Sequence, residues 1–406
     1  MDPSRPPKQL RLDAHRNLYV GVLSNTDLMA VVTAFQGGIF DDMRSFVRLP
    51  SCVDWTKYFQ QTNHSSLFDL TGIGGCFDAW LCNRSMEDVA LLVKCLPWVR
   101  NMLTMVAIQR ESLPLAHAID ISRCHSLIIR AGVQHACRVG SVPLVKLCYP
   151  HHKALWQFDD NACLVRGRSV DVLAYLSDLD APILSPRTMD IAANFNCLAI
   201  VEWLHFNRNE GCTTRAMDYA AAQGHLGVVR FLHSHRPESN VTSAMKQAAA
   251  NGCLEVVQFL RTHCSEGCLA NALDYAALHG QLEAIKFLHQ HVTDGLTTYA
   301  MDVAANNGHL EVVQFLHENR TEGCTTAAMN FAACNGHLEV VQFLHQHRTE
   351  GCTTHAMDDA ARNGHLEVVK FLHDHSTEGC TTIAMDCAAA KGYMHGDCRI
   401  SPRAPQ

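Results

Sequence analysis

The stretch "NGHLEVVQFLH" stands at residues 307–317 and again at 335–345, and "NGHLEVVKFLH" follows at 363–373. The glycine of each stretch sets a lattice. Gly224, Gly252, Gly280, Gly308, Gly336, Gly364 and Gly392 succeed one another at steps of 28 residues. Extended backwards, the lattice lands on Asn196, Arg168 and Gly140, where the apolar pattern after the anchor survives although the Gly often does not. Seven complete units run from Ser185 to Cys380, two worn ones precede them and a half unit follows. An unbroken period of this length signals a repeat architecture, in which each unit packs on its neighbours.

The unit "TTAAMNFAACNGHLEVVQFLHQHRTEGC" at 325–352 shows how one period folds. Thr326 is predicted to cap a short helix whose body, "AAMNFAAC", has the Ala and Met content that helices favour. Gly336 ends that helix by taking a left-handed conformation. "HLEVVQFLH" then places Leu338, Val341 and Leu344 at i, i+3, i+6 with Val340 and Phe343 beside them. This spacing predicts one buried helical face with Glu339 and Gln342 outward. "QHRTEGC" is the return loop. One such unit has too few large apolar side chains to offset the entropy of ordering its chain, so the units must share their apolar faces.

At these residues the sequence resembles the ankyrin repeat. "AMDxAAxNGHLEVVQFLH" is similar to its second helix, whereas the first departs from it. Ala and Met replace the family's Pro-Leu pair, and Asp302, Asn330 or Asp358 stands at its His position. Ankyrin units have about 33 residues, so these are about five shorter, all from the loop that forms the family's protruding hairpin finger. The resemblance covers about residues 129–394. It implies an all-α, ankyrin-like helix-pair solenoid that binds a protein partner, does no chemistry and needs no cofactor. The chain then divides into a disordered lead (1–16), a helical non-repeat region (17–128), the repeat array (129–394) and an irregular tail (395–406).

Comparison among the units separates packing from surface. Positions 8, 7, 4 and 3 before the anchor are nearly always Ala, Met, Ala and Ala, on one side of the first helix. Positions 9, 5 and 2 before it vary freely and form the opposite face. That face carries Arg215 and Tyr219, then Gln247, then Tyr275, then Tyr299, Val303 and Asn306, then Phe331, then His355 and Arg362. In ankyrin proteins the first helices line the concave side, where partners bind. The resemblance therefore implies a groove with Tyr219, Tyr275, Tyr299 and Phe331 as anchors. Aromatic and Arg side chains are the usual binding hot spots.

Composition sets the outer limits. The chain has 406 residues, 48% of them hydrophobic, and a net charge of −7 with no run of Lys or Arg. That balance gives no footprint for nucleic acid or an anionic membrane surface, and no apolar run approaches the length of a membrane span. The first residues, with three prolines among "MDPSRPPKQLRLDAHR", do not read as a secretory signal. The 19 cysteines recur mostly at repeat positions, so they are expected as reduced thiols in the cytosol or nucleus.

"HQHRTEGC" and "HDHSTEGC" offer His345, His347, Cys352 and His373, His375, Cys380 as zinc ligands. However, Asn319 replaces the second His in one unit and Leu296 replaces the Cys in another. The histidines are instead expected to cap the C-termini of the second helices. "TGIGGC" at 71–76 lacks the Lys-Ser or Lys-Thr of a phosphate loop. No nucleophile-and-base pattern stands outside the repeats.

The ends differ from the array. Leu23, Leu28, Val32, Phe35, Ile39, Met43 and Trp55, in the stretch 22–55, are spaced in a way that resembles an F-box. That resemblance would make the protein an adaptor bringing substrates to ubiquitin ligase subunits; the other reading is a helical cap on the first repeat. The last unit stops after Met394, which predicts fraying from about residue 381.

Overall fold

The computed structural model describes residues 77–386, apart from 83, 98, 152–157, 180, 182–183, 237–239, 293–296 and 385. The lead 1–16, the F-box-like stretch 22–55, "TGIGGC" and the tail 395–406 lie outside the described residues. Among the described residues every regular element is a helix, so the fold is all-α, as the period and composition predict. The chain divides after Ile183 into two units.

The first unit holds α1 (Met86–Cys95), α2 (Val99–Gln109), α3 (Leu113–Ile119), α4 (Ser126–Val139), α5 (Val142–Cys148), α6 (Phe158–Arg166) and α7 (Val170–Asp178). Its core includes Leu103, Met105, Ile108, Ile128, Val133 and Leu144. Three tight helix-to-helix turns each contain a left-handed residue: Glu111, Gly140 and Arg168. Gly140 and Arg168 are lattice positions. Glu111 marks a further hairpin, closed by the Ser112 N–H on the Ala107 carbonyl at 2.9 Å, that no sequence anchor announces.

The second unit is a run of helix pairs. Its first helices are α8 (Pro186–Asn194), α10 (Arg215–Ala222), α12 (Val241–Ala250), α14 (Glu266–Leu278), α16 (Tyr299–Asn306), α18 (Thr326–Cys334) and α20 (Thr354–Asn363). The second helices are α9 (Leu198–Asn207), α11 (Leu226–His235), α13 (Leu254–Arg261), α15 (Leu282–His289), α17 (Leu310–Asn319), α19 (Leu338–His347) and α21 (Leu366–His375). Each first helix packs on its own second helix and on the first helices of the neighbouring pairs. Ala328, Met329, Ala332 and Ala333 of α18 are buried, and their counterparts are buried along the run, because small side chains let the helix axes approach.

Between α18 and α19 the chain turns through Gly336 at φ +80°. The Gly336 N–H bonds the Ala333 carbonyl and the His337 N–H bonds the Ala332 carbonyl, the pattern of a Schellman cap. The same His337-to-Ala332 type of bond recurs at His309, His365 and Gln281.

Two local expectations shift by about a residue. The N-cap of α18 is Thr325, not Thr326: its Oγ1 accepts from the Ala327 N–H at 3.1 Å. The buried stripe of α19 is Val340, Val341 and Leu344, while Leu338 and Phe343 are only half-buried. The same stripe, two adjacent residues and the Leu three beyond them, is buried in α9, α13 and α15, so it belongs to how each second helix packs. The half-buried Phe343 ring lies 4.6 Å from His347 on the same helix and 5.5 Å from His317 of the preceding pair.

The buried stripe gives an internal contrast. Val341→Asp buries a carboxylate with no partner and is expected to lose more than about 3 kcal/mol. Leu338→Asp, at the half-buried position, is expected to lose about 1 kcal/mol. Urea unfolding followed by circular dichroism reads both; equal losses would return Leu338 to the core.

Candidate functional site

The first helices carry two faces with separate duties. On one edge, six residues before the anchor, a polar side chain reaches across to the next pair. Asp302 accepts from the Thr325 N–H at 2.8 Å and from the Thr325 hydroxyl at 2.9 Å. Asp190 holds Thr213 and Asp358 holds Thr381 in the same way. Asn330 does the equivalent work with both halves of its amide: Oδ1 accepts from the Thr353 N–H and Nδ2 donates to the Thr353 hydroxyl. The staples on Thr325 and Thr353 fix the N-cap of the following first helix. The loop before that cap is braced by an Arg–Glu ion pair, Arg320 to Glu322 at 2.7 Å and Arg348 to Glu350, which holds both glutamates below the usual carboxylate range.

The opposite face is open. Tyr219 and Tyr275 are each 40% exposed, Tyr299 54% and Phe331 52%. Arg215, Gln247 and His355 are also exposed. Val303, in the same column, is buried at 8%. Three of the sequence-derived residues already have local partners. The Asn335 amide donates to both the backbone and the side-chain oxygens of Asn306, at 2.9 and 3.0 Å. Arg362 pairs with Asp359, one helical turn away. His355 shares a hydrogen bond with Thr353 at 3.1 Å. The ring of Tyr275 has a cation above it, the Lys246 ammonium at 5.5 Å.

The second helices carry a stripe that sequence reading met only as scattered histidines. His205, His289, His317 and His345 each set an edge against the Phe of the following pair, at 5.4 to 5.5 Å between ring centres. Beside them, His235 and His375 donate Nδ1–H to the Phe231 and Phe371 carbonyls at 2.9 Å. A carbonyl can only accept, so the ring nitrogen must carry the proton there. Asn319 gives its Nδ2–H to the Phe315 carbonyl at 2.9 Å, which explains why Asn and His alternate at this position. The geometry assigns these histidines to the helix ends, and Cys352 faces inward at 8% exposure. Phe206, at 71% exposure, stands at the start of the stripe.

A family model described as ankyrin repeats (3 copies) matches residues 189–271 and 301–386. The two matched stretches carry ankyrin repeats. A search of curated protein sequences finds no match to the chain. Ankyrin repeats mediate protein–protein contacts, so this part of the chain is a protein-interaction domain. No described helix is long and apolar enough to cross a membrane. The finger loops of these repeats are short turns without strands among the described residues, with Gly323 and Gly351 in left-handed conformation and Cys324 and Cys352 tucked inward.

Three repeats lack the regular staple, the one with Lys246 at the stapling position and two that keep the carboxylate. Val241 stands at the position of the stapled Thr, and Asp218, which accepts from Ser243, buries its Oδ1 without a partner. Asp274 also buries Oδ1 without a partner, and burial pushes its carboxyl up to about 6. The protonated form is therefore favoured more by the folded than by the unfolded chain, so stability falls as pH rises from about 4 through 6. Asn330 shows that an amide fits this position. Asp274→Asn is expected to raise the thermal unfolding midpoint above pH 6 and to leave it unchanged near pH 4. A midpoint gain that is equal at both pH values would mean the carboxyl charge is not the cause.

Proposed function

We propose that the repeat array binds a partner protein on the exposed face of its first helices, with Tyr219, Tyr275, Tyr299 and Phe331 as anchors, and that it catalyses no reaction. The observation that carries this reading is the row of four large rings, each at least 40% exposed, on first helices whose other sides are committed to packing. Exposed aromatic side chains cost solvation when idle and are enriched at binding hot spots. Gln247, Asn306 and His355 supply polar contacts between and beyond the rings. Arg215 and Arg362 lie towards the two ends, Arg362 already held by Asp359. The stretch between Lys246 and Asp359 carries no formal charge at these columns, which favours an apolar or uncharged segment of the partner.

The short loops support the same choice of face. Their Arg, Glu and Thr groups bond to neighbouring residues, leaving the helix columns as the variable surface. The adaptor reading rests on the sequence of 22–55 alone. It predicts that cullin-type ligase subunits are captured by the full chain and are lost on deletion of residues 1–125.

The double variant Tyr275→Ser, Tyr299→Ser separates surface from core. Partner binding, read by titration of the captured partner, is expected to weaken at least about tenfold. The unfolding midpoint is expected to stay within experimental error of the parent. Unchanged binding would move the docking surface elsewhere, and a lowered midpoint would place the rings in the core.

A further inference from the structure

The repeat anchored at Gly252 breaks the pattern in several places at once. Cys264 stands where Arg208, Arg320 and Arg348 brace their loops, and Leu269 replaces the stapling Thr. Lys246 replaces the carboxylate or amide that would have held that Thr. Freed from the staple, α14 begins early and runs for 13 residues, against 8 to 10 in the other first helices of the array. Cys268, whose counterparts Cys324 and Cys352 lie in loops, is thereby drawn into the first turn of a helix.

The result is a pair of thiols. The Cys264 and Cys268 sulfurs lie 3.0 Å apart and share a hydrogen bond. The thiol group of Cys264 holds Cys268 down to about 7 against the raising effect of burial, helped by the Thr242 hydroxyl and the Lys246 charge. The same shared bond pushes Cys264 up. By contrast, burial raises Cys324 and Cys352 to about 11. The N-terminal dipole of α14 acts in the same sense on Cys268.

We infer that Cys264 and Cys268 form an oxidation site, one that reacts with a hydroperoxide and closes to an intramolecular disulfide. Cys268 is 4% exposed, so hydrogen peroxide, with two heavy atoms, suits it better than a bulky disulfide reagent. The Cys268 thiolate attacks one peroxide oxygen, the O–O bond breaks, and the departing hydroxide takes the Cys264 proton to leave as water. Cys268 is then a sulfenic acid. The Cys264 sulfur attacks the Cys268 sulfur, the S–O bond breaks, and the leaving hydroxide picks up a proton as a second water. Two thiols and one peroxide give one disulfide and two waters; the sulfurs lose two electrons and the peroxide gains them. Bridging removes the thiolate charge from beside Lys246, whose ammonium stands over Tyr275 on the exposed face.

The test uses the full chain, reduced, freed of reductant, treated with hydrogen peroxide and quenched with an alkylating agent. Trypsin cuts after Arg261 and Lys286 and releases a peptide whose cysteines are these two. That peptide is expected to appear unalkylated and lighter by two hydrogens, at least about tenfold faster than Cys324 or Cys352 is modified. Cys264→Ser is expected to leave a sulfenic acid on Cys268 that a dione reagent traps. Full alkylation of both cysteines while others oxidise first, or Cys268 bridged to a different peptide, overturns the assignment. Equal trapping in parent and variant overturns it as well, because Cys264 then does not resolve the intermediate.

Discussion

Successive repeats meet where an imidazole is laid over a glycine. A methyl carbon built on Gly308 would stand 2.5 Å from Nδ1 of His337, and one on Gly336 the same distance from His365. The glycine is thus required twice, for its left-handed backbone and for the bare surface that the next repeat covers. At Gly280 the covering ring of His309 also bonds the Leu278 carbonyl at 3.2 Å, one of the orphan carbonyls that end α14. Helix termination and repeat stacking are therefore one event. A unit missing its neighbour would lose both, which is why the spacing is constant from Gly224 to Gly364.

Against that constant frame, the staple six residues before the anchor is where individuality enters. Asp302, Asn330 and Asp358 hold the next Thr and impose a fixed helix start. Where the staple is replaced, at Lys246 and Leu269, the helix start moves and two thiols meet. Where the carboxylate persists with an incomplete partner set, at Asp218 and Asp274, burial raises its proton affinity. The departures are not decay of a pattern in general, since each has a local physical consequence.

The fold was legible because its two decisive signals are backbone signals. The glycine lattice and the Ala-Met-Ala-Ala side of each first helix specify turns and close packing, and both stand where the sequence puts them. The exposure of Tyr219, Tyr275, Tyr299 and Phe331 followed from the same helical geometry. Less legible was anything decided by a side chain reaching across units. Residue spacing made Leu338 a core position, but the stripe that α19 buries against its neighbours is Val340, Val341 and Leu344. The variable column also included Val303, which is buried, and Asn306, which the next repeat's Asn335 occupies. Contacts separated by about one period leave no trace in the pattern of a single unit.

Two neighbouring repeats, 297–324 and 325–352, show where the sequence varies over the fixed lattice. They differ at six positions. Asp302 and Asn330 do the same stapling work, and the exchange of Asn319 for His347 falls at the helix end where Asn319, His235 and His375 all bond a carbonyl. Glu318 and Gln346 are both exposed beside that end. The other three differences, Tyr299 for Ala327, Val303 for Phe331 and Asn306 for Cys334, all fall on the variable columns of the first helices. In adjacent units otherwise so nearly identical, the changes that alter side-chain size and shape are concentrated there. Swapping a Tyr in one column for a Phe in another moves the aromatic contact across the helix face without disturbing the packing beneath it. A surface free to move its anchors over a fixed lattice is what a protein-recognition module requires.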